Sequence, residues 1–160
     1  KNLLLAVKAV EKLDDVHLVA IGKSTDYAKK VQDYVEAHGL ENRVHIIHNL
    51  KFGDLPILYH LASLFVYPSR FEGFGIPILE ALNSRVPVIT TRGGVFPETG
   101  GDACIYVEPE STDEMLHALE TVLGDRAAAD GMRARGAAYA RNFREPVIAS
   151  NLTAVYRSLL

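Results

Sequence analysis

Apolar residues recur at helical spacing from Asn2 to Leu13, with Leu4, Val7 and Val10 on one face, and the pattern then gives way to the apolar run Val16 to Ile21, which stops at Gly22. That reads as a helix followed by a strand. The alternation continues: Asp26 to His38 predicts a helix stopped by Gly39, Arg43 to Ile47 a strand, Asp54 to Leu61 a short helix, and Leu64 to Tyr67 a strand closed by Pro68-Ser69. A glycine-containing loop from Phe71 to Gly75 feeds a helix over Ile76 to Asn83. Val86 to Thr91 and Ile105 to Val107 are two further strands. Thr112 to Leu123 is a helix with Ser111 or Thr112 as its cap, and helices from roughly Arg126 to Asn142 and Pro146 to Leu160 finish the chain.

Strands that are apolar throughout and alternate with helices call for a parallel sheet covered on both faces, since each right-handed crossover lays its helix against the sheet. The expected fold class is α/β, doubly wound. At 160 residues and 48% hydrophobic, the chain has room for one domain with a core and not for two. Ligands of such sheets bind at the carboxyl ends of the strands, so the loops after strands are where chemistry is expected.

Charge narrows the partners. A net charge of -3 gives no sequence-wide attraction to polyphosphate, which argues against nucleic acid as a partner. The single cysteine, Cys104, excludes an internal disulfide and fits a reducing, cytoplasmic setting. No apolar run has the length of a membrane span, and Lys1-Asn2-Leu3-Leu4-Leu5 runs into an amphipathic pattern, unlike a signal peptide. Arg126, Arg133, Arg135, Arg141 and Arg144 make the late helices basic. A solvated face is the plain reading of them, and peripheral contact with anionic lipid head groups the other.

The stretch with most chemistry follows a strand and opens a helix: Pro68-Ser69-Arg70-Phe71-Glu72-Gly73-Phe74-Gly75-Ile76-Pro77-Ile78-Leu79-Glu80-Ala81-Leu82. Gly73 and Gly75 allow close approach to the backbone, and Pro77 suits a first helical turn. Free amides of Phe74, Gly75 and Ile76 at the positive end of the helix dipole suit a phosphate, although such glycines also serve turn geometry alone. Glu72 and Glu80 could each accept two hydroxyl hydrogen bonds from a diol; equally, Glu72 could be a solvated loop residue and Glu80 lie on an exposed helix face.

The run Pro-Ser-x-x-Glu-Gly-Phe-Gly-x-Pro-x-x-Glu-Ala, from Pro68 to Ala81, resembles the signature of the group 1, or family 4, retaining glycosyltransferases. The resemblance extends to Arg43-Val44-His45-Ile46, Leu55-Pro56 with Tyr59, Pro87-Val88-Ile89, Pro97-Glu98 with Gly101-Asp102-Ala103, and Pro109. It implies one Rossmann-like domain of a two-domain GT-B enzyme, residues 1–160 being the C-terminal, nucleotide-sugar-binding one. The substrate would be a nucleoside-diphosphate sugar, with no bound metal or cofactor, and the sugar would pass to a hydroxyl acceptor. By motif match Glu80 would hold the ribose, Glu72 the transferred sugar, and the amides of Phe74, Gly75 and Ile76 the diphosphate and sugar, with Gly73 also among the donor-binding residues. Lys1 matches the lysine that neutralises the leaving diphosphate; its plain alternative is a charged first residue. Gly22 would keep a strand-end loop clear near the donor, and Leu50, in His48-Asn49-Leu50-Lys51, would lie near the base.

The resemblance also implies an N-terminal acceptor domain upstream of Lys1, so that this domain by itself would be inactive, and a first, central strand that either lies upstream of Lys1 as well or is missing from an unusually built domain. Arg85 departs from the family, which usually has glycine there, in a position suited to a left-handed cap. The histidines show no metal-ligand spacing, and Gly22-Lys23-Ser24 lacks the first glycine of a P-loop, its place being taken by His17. A non-catalytic nucleotide-sugar-binding module is the alternative function.

Overall fold

The N-terminal apolar stripe forms helix α1 (Leu3–Glu11), which buries Leu5, Ala6, Val7, Ala9 and Val10 in the computed structural model, where residues 1–159 are described. After it come β1 (Leu18–Ile21), α2 (Asp26–Ala37), β2 (Val44–Ile47), α3 (Leu55–Leu61), β3 (Phe65–Tyr67) and α4 (Ile76–Asn83). The second half holds β4 (Val88–Thr91), α5 (Phe96–Gly100), β5 (Cys104–Val107), α6 (Thr112–Gly124), α7 (Arg126–Ala140) and α8 (Glu145–Ser158). The expected helices and strands all form, the strands one to two residues shorter at their starts or, for β5, one longer. The short helix α5 was not expected.

Helix starts are chemically specified. Thr25 accepts from the Ala28 amide, Ser111 from Glu114 and Asp125 from Ala127 and Ala128, each such cap contributing about 1 kcal/mol. Ser111, not Thr112, is therefore the cap of α6.

Among the described residues all strand pairs are parallel, as the βα alternation requires, but hydrogen bonding divides the strands into two sheets, β1-β2 and β3-β4-β5. In the first, Leu18 faces Val44 and Ile21 faces Ile47. In the second, β4 lies in the middle, with Val88 between Phe65 and Cys104. The expectation of strands covered on both faces holds along the whole of β4, whose residues are all buried. It fails for β1: Leu18 packs inward with Val44 under α1 and α2, while Val19 and Ile21 on the other face are 47% and 44% exposed.

One core joins α1, α6 and α7 with Ile89 and Val107, and Leu18 and Val66 from the two sheets both pack against it. A second core lies beneath α4, where Ile78 and Leu82 meet Val88, Phe96 and Tyr59. Helix α7 comes close to α4 because Gly136 has no side chain; a Cβ there would stand 2.8 Å from Leu82 Cδ2. Helix α4, which carries the signature residues, is thus clamped between β4 and α7.

Candidate functional site: the loop from β3 to α4

The chain leaves β3 held by two buried threonines of the neighbouring strand. Thr90 Oγ1 donates to the Tyr67 carbonyl at 2.9 Å, and Thr91 Oγ1 donates to the Ser69 carbonyl. Both threonines are fully buried at the end of β4, so these carbonyls are their means of satisfying hydroxyls out of reach of water. The loop's first residues are thereby fixed to the sheet. Neither threonine is legible as a site residue from the loop motif.

Ser69, itself buried, donates to Glu72 Oε1 at 2.7 Å. Lys1 forms an ion pair with the same carboxylate oxygen and lies 3.0 Å from the Tyr67 hydroxyl. The Glu72 side chain is only 17% exposed, so the reading of a solvated loop carboxylate is set aside. For Glu72 burial pulls the pKa upward, but hydrogen bonds from Lys1, Ser69 and Tyr67 outweigh it and hold the carboxyl below its ordinary 4.5. For Lys1 burial alone would lower the ammonium; the hydrogen bonds to Glu72 and then Tyr67 outweigh it and raise the group above 10.5. Both groups are charged at neutral pH. Lys1 is more than a charged first residue: it is brought 71 positions along the chain to the signature loop.

Gly75 stands at the N-cap of α4 with φ 93°, left-handed backbone that requires glycine, and no side chain caps the helix. The Phe74 carbonyl is taken by Thr99 Oγ1 from α5, which turns the peptide and pins the loop to the next element. Among the described residues, the amides of Phe74, Gly75 and Ile76 meet no protein acceptor, and they sit at the positive end of the helix dipole. Gly73 has no positive φ, and a Cβ there would point into open space. The need for glycine is therefore at Gly75 for backbone conformation, and at Gly73 only for clearance.

Glu80, the fifth residue of α4, is half-buried, not on an exposed face, and accepts a hydrogen bond from the Tyr59 hydroxyl at 3.0 Å. Tyr59 is 7% exposed, and burial followed by the bond to Glu80 raises its phenol well above the ordinary tyrosine range, so it donates at every physiological pH. One carboxylate oxygen is thus oriented by α3 while the rest of the acceptor capacity stays open.

Gly22 and Leu50 lie beyond the carboxyl ends of β1 and β2. The Gly22 amide donates to the Ile47 carbonyl at 3.1 Å, and His48 Nδ1 lies 3.0 Å from the Gly22 carbonyl, which ties the two loops together. No hydrogen bond among the described residues joins them to the signature loop. His17 and His45, scattered in sequence, stack across the β1-β2 ladder with Nδ1 and Nε2 3.4 Å apart. Among the described residues no three His, Cys, Asp or Glu side chains are grouped to hold a metal. Of the basic residues, Arg126 and Arg133 pair with Asp130 and Arg135 donates to the Asp102 carbonyl, in keeping with a solvated face. No helix of the described residues is long and apolar enough to cross a membrane.

Parallel strands alternating with helices, with a glycine loop and an uncapped helix start at the carboxyl end of a strand, make this an α/β domain of the Rossmann-like kind. The chain belongs to the family described as glycosyl transferases group 1, which matches residues 1–143. It is 37% identical over 109 residues, 68% of its length, to the O-antigen chain mannosyltransferase RfbU of Salmonella typhimurium. The C-terminal domain of the group 1 glycosyl transferase LpcC of Francisella tularensis superposes with a TM-score of 0.79 at 27% identity, covering 89% of this chain and 78% of that one. Anabaena HepE, solved with UDP and glucose, shares the fold at a TM-score of 0.83 and 23% identity, covering 98% of this chain and 44% of that one. The chain spans about a third of the length of the curated relatives it matches, 31% in the case of RfbU.

Proposed function

We propose that this chain is the donor half of a retaining glycosyltransferase, holding a nucleoside-diphosphate sugar whose sugar passes to an acceptor hydroxyl. The observation that carries the reading is the grouping of Lys1, Glu72 and Ser69 at the end of β3, next in sequence to the unpaired amides that open α4. Charge that develops on the leaving diphosphate is met by the Lys1 ammonium and by the amides of Phe74, Gly75 and Ile76, donors fixed before reaction and therefore effective. Glu72 accepts hydroxyls of the sugar, and Glu80, steadied by Tyr59, accepts those of the ribose. The reading calls for no metal, organic cofactor or enzyme nucleophile. Gly22 and Leu50 border the base.

Lys1 cannot serve phosphate and Glu72 fully at once. Its side chain is 64% exposed, so the pair contributes at most about 1 kcal/mol and a diphosphate can draw the ammonium away at small cost. The acceptor-binding half and a strand joining β1-β2 to β3-β4-β5 belong, in this reading, to polypeptide ahead of Lys1. Support comes from the division of the parallel strands into two sheets and from the greater length of the relatives. The mannosyltransferase relative favours a hexose as the transferred sugar and cell-surface polysaccharide assembly as the setting.

Calorimetric titration of UDP, GDP and ADP into the full-length protein tests the reading. Saturable binding of one of them is expected, with loss of at least about tenfold in affinity in Glu80→Ala, the size of a lost charged hydrogen bond. No binding by folded protein, or binding indifferent to Glu80→Ala, would overturn it.

A further inference from the structure

Resting on the donor reading above, we propose that Tyr67 is a positioning residue for the leaving diphosphate, its hydroxyl handing Lys1 from Glu72 to the phosphate while keeping both groups in the site. The ring is wedged at the end of β3. It meets the fully buried Phe96 edge-on at 6.3 Å and stacks on Phe65 at 5.9 Å, and its carbonyl is tied to Thr90. A phenol packed against two aromatic rings and tied at its backbone has little freedom to swing, so its oxygen is a fixed point. Lys1 is the opposite: a long, mostly exposed side chain whose ammonium has two tethers, Glu72 and the Tyr67 hydroxyl 3.0 Å away.

The chemistry of the three groups makes the handover possible. An ammonium has three donors and a carboxylate only acceptors, whereas a phenol both accepts and donates. When phosphate draws Lys1 off Glu72, the ammonium can keep its bond to the uncharged Tyr67 oxygen and turn its other two donors to the ligand. Glu72 meanwhile stays oriented toward sugar hydroxyls by the bond it accepts from Ser69. Burial foremost holds the Tyr67 phenol above its ordinary value, against the opposing pull of Lys1, so the hydroxyl stays uncharged and can accept from the ammonium. Without the hydroxyl, Lys1 has only the charged Glu72 to hold it, and the diphosphate must compete with that pair undiluted.

The test uses the full-length protein, the nucleoside diphosphate among UDP, GDP and ADP that it binds, and the matching monophosphate. Tyr67→Phe keeps the ring packing, and an unchanged melting midpoint checks that it does. Diphosphate affinity is expected to fall by about two- to fivefold, because the cost of drawing Lys1 off Glu72 is bounded by the roughly 1 kcal/mol of that exposed pair, with monophosphate affinity unchanged. In a Lys1→Met background the same substitution is expected to add little, because its effect passes through Lys1. Equal losses for both nucleotides, no loss for either, or full additivity with Lys1→Met would each overturn the positioning assignment and leave Tyr67 a packing residue. If the unaltered protein binds none of the three diphosphates, the donor reading itself falls and the proposal with it, a failure visible before any variant is made.

Discussion

Arg85 occupies a backbone position made for glycine, and replacing it should stabilise the protein. Helix α4 ends in a Schellman motif: the Val86 amide reaches the Ala81 carbonyl at 3.0 Å, and the Arg85 amide reaches Leu82 at 3.1 Å. Arg85 is consequently left-handed, with φ 58°. An L-residue there costs roughly 1–2 kcal/mol through the clash of its Cβ with the following carbonyl. Its side chain is exposed and enters none of the ion pairs of the described residues, so nothing offsets that cost. Arg85→Gly removes the clash but gives the unfolded chain more freedom, which takes back roughly 0.5–1 kcal/mol. The net gain is centred on about 0.7 kcal/mol and does not exceed about 1.5, a rise of roughly 2 °C in melting midpoint for a domain of this size.

The molecule contains its own reciprocal control. Helix α2 ends in the same motif with glycine in place: Leu40 reaches Val35 at 2.9 Å, and Gly39, φ 64°, reaches Glu36 at 3.3 Å. No atom lies within 4 Å of a Cβ built on Gly39, so Gly39→Ala imposes backbone strain and nothing else. It should lower stability by about 0.5–1 kcal/mol. Urea and thermal unfolding at pH 7 of the two variants and of Arg85→Ala read the outcome. Arg85→Ala should be close to neutral, since it keeps the strain and removes only an unengaged side chain. A fall in midpoint for Arg85→Gly, or a large fall for Arg85→Ala, would refute the reasoning by showing that the guanidinium contributes more than the backbone costs.

Two other perturbations have defined signs. Gly101→Ala places a Cβ 2.4 Å from Tyr139 Cε2 on a backbone with φ 56°, and should cost about 2–4 kcal/mol by overpacking and strain together; urea unfolding would contradict this if the loss were below about 1 kcal/mol. Glu72 has a folded pKa below 4.5, so its contribution to stability is present above that value and lost as pH falls through the folded one. Lys1, raised above 10.5, contributes below that value and loses its contribution as pH rises through the folded one. The stability difference between the protein and Glu72→Gln, under about 1 kcal/mol because Lys1 is exposed, should therefore be flat from pH 6 to 9 and shrink below about pH 4. A difference that grows on acidification in unfolding titrations would reverse the assignment.

What the chain's pattern could and could not disclose follows from the range of the interactions. Helix α4 is legible to the residue, Ile76 to Asn83, because both its ends are set by local backbone: left-handed Gly75 at the start and the Schellman turn at Arg85. The expected strands begin too early at Val16, Leu64 and Val86, because an apolar residue satisfies the pattern whether or not it has a ladder partner. Helix α5 is one short turn opened by Phe96-Pro97 and has no period to detect. The division into two sheets depends on pairing between distant segments. In the site, Glu72 and Glu80 stand out by motif and Tyr59 by the wider resemblance, though with no role attached, but Tyr67, Thr90 and Thr91 read simply as strand residues. A signal was present in the last two: consecutive hydroxyls at the end of an otherwise apolar, buried strand must find acceptors, and the nearest are the carbonyls of the adjoining loop.

Those acceptors explain why the site is held so firmly by elements remote in sequence. Strand β3 supplies Tyr67 and leads to Ser69, and the last two residues of β4 bind their carbonyls. Beyond β5, the Pro109 carbonyl accepts from Asn2 Nδ2 at 2.7 Å, which anchors the left-handed Asn2 and with it the backbone of Lys1. All three strands of one parallel sheet thus converge, at their carboxyl ends, on one ammonium and one carboxylate, the end at which open α/β sheets bind ligands. The sheet fixes where the Lys1 backbone starts and where the Tyr67 hydroxyl stands, and leaves only the lysine side chain free to turn. A perturbation of Asn2 should therefore act on diphosphate binding as Tyr67→Phe does, though it touches neither ligand nor carboxylate. Asn2→Ala, which removes the tether to Pro109, carries that expectation to an element outside the signature, and an unchanged preference for diphosphate over monophosphate would show that Lys1 is positioned by its side chain alone.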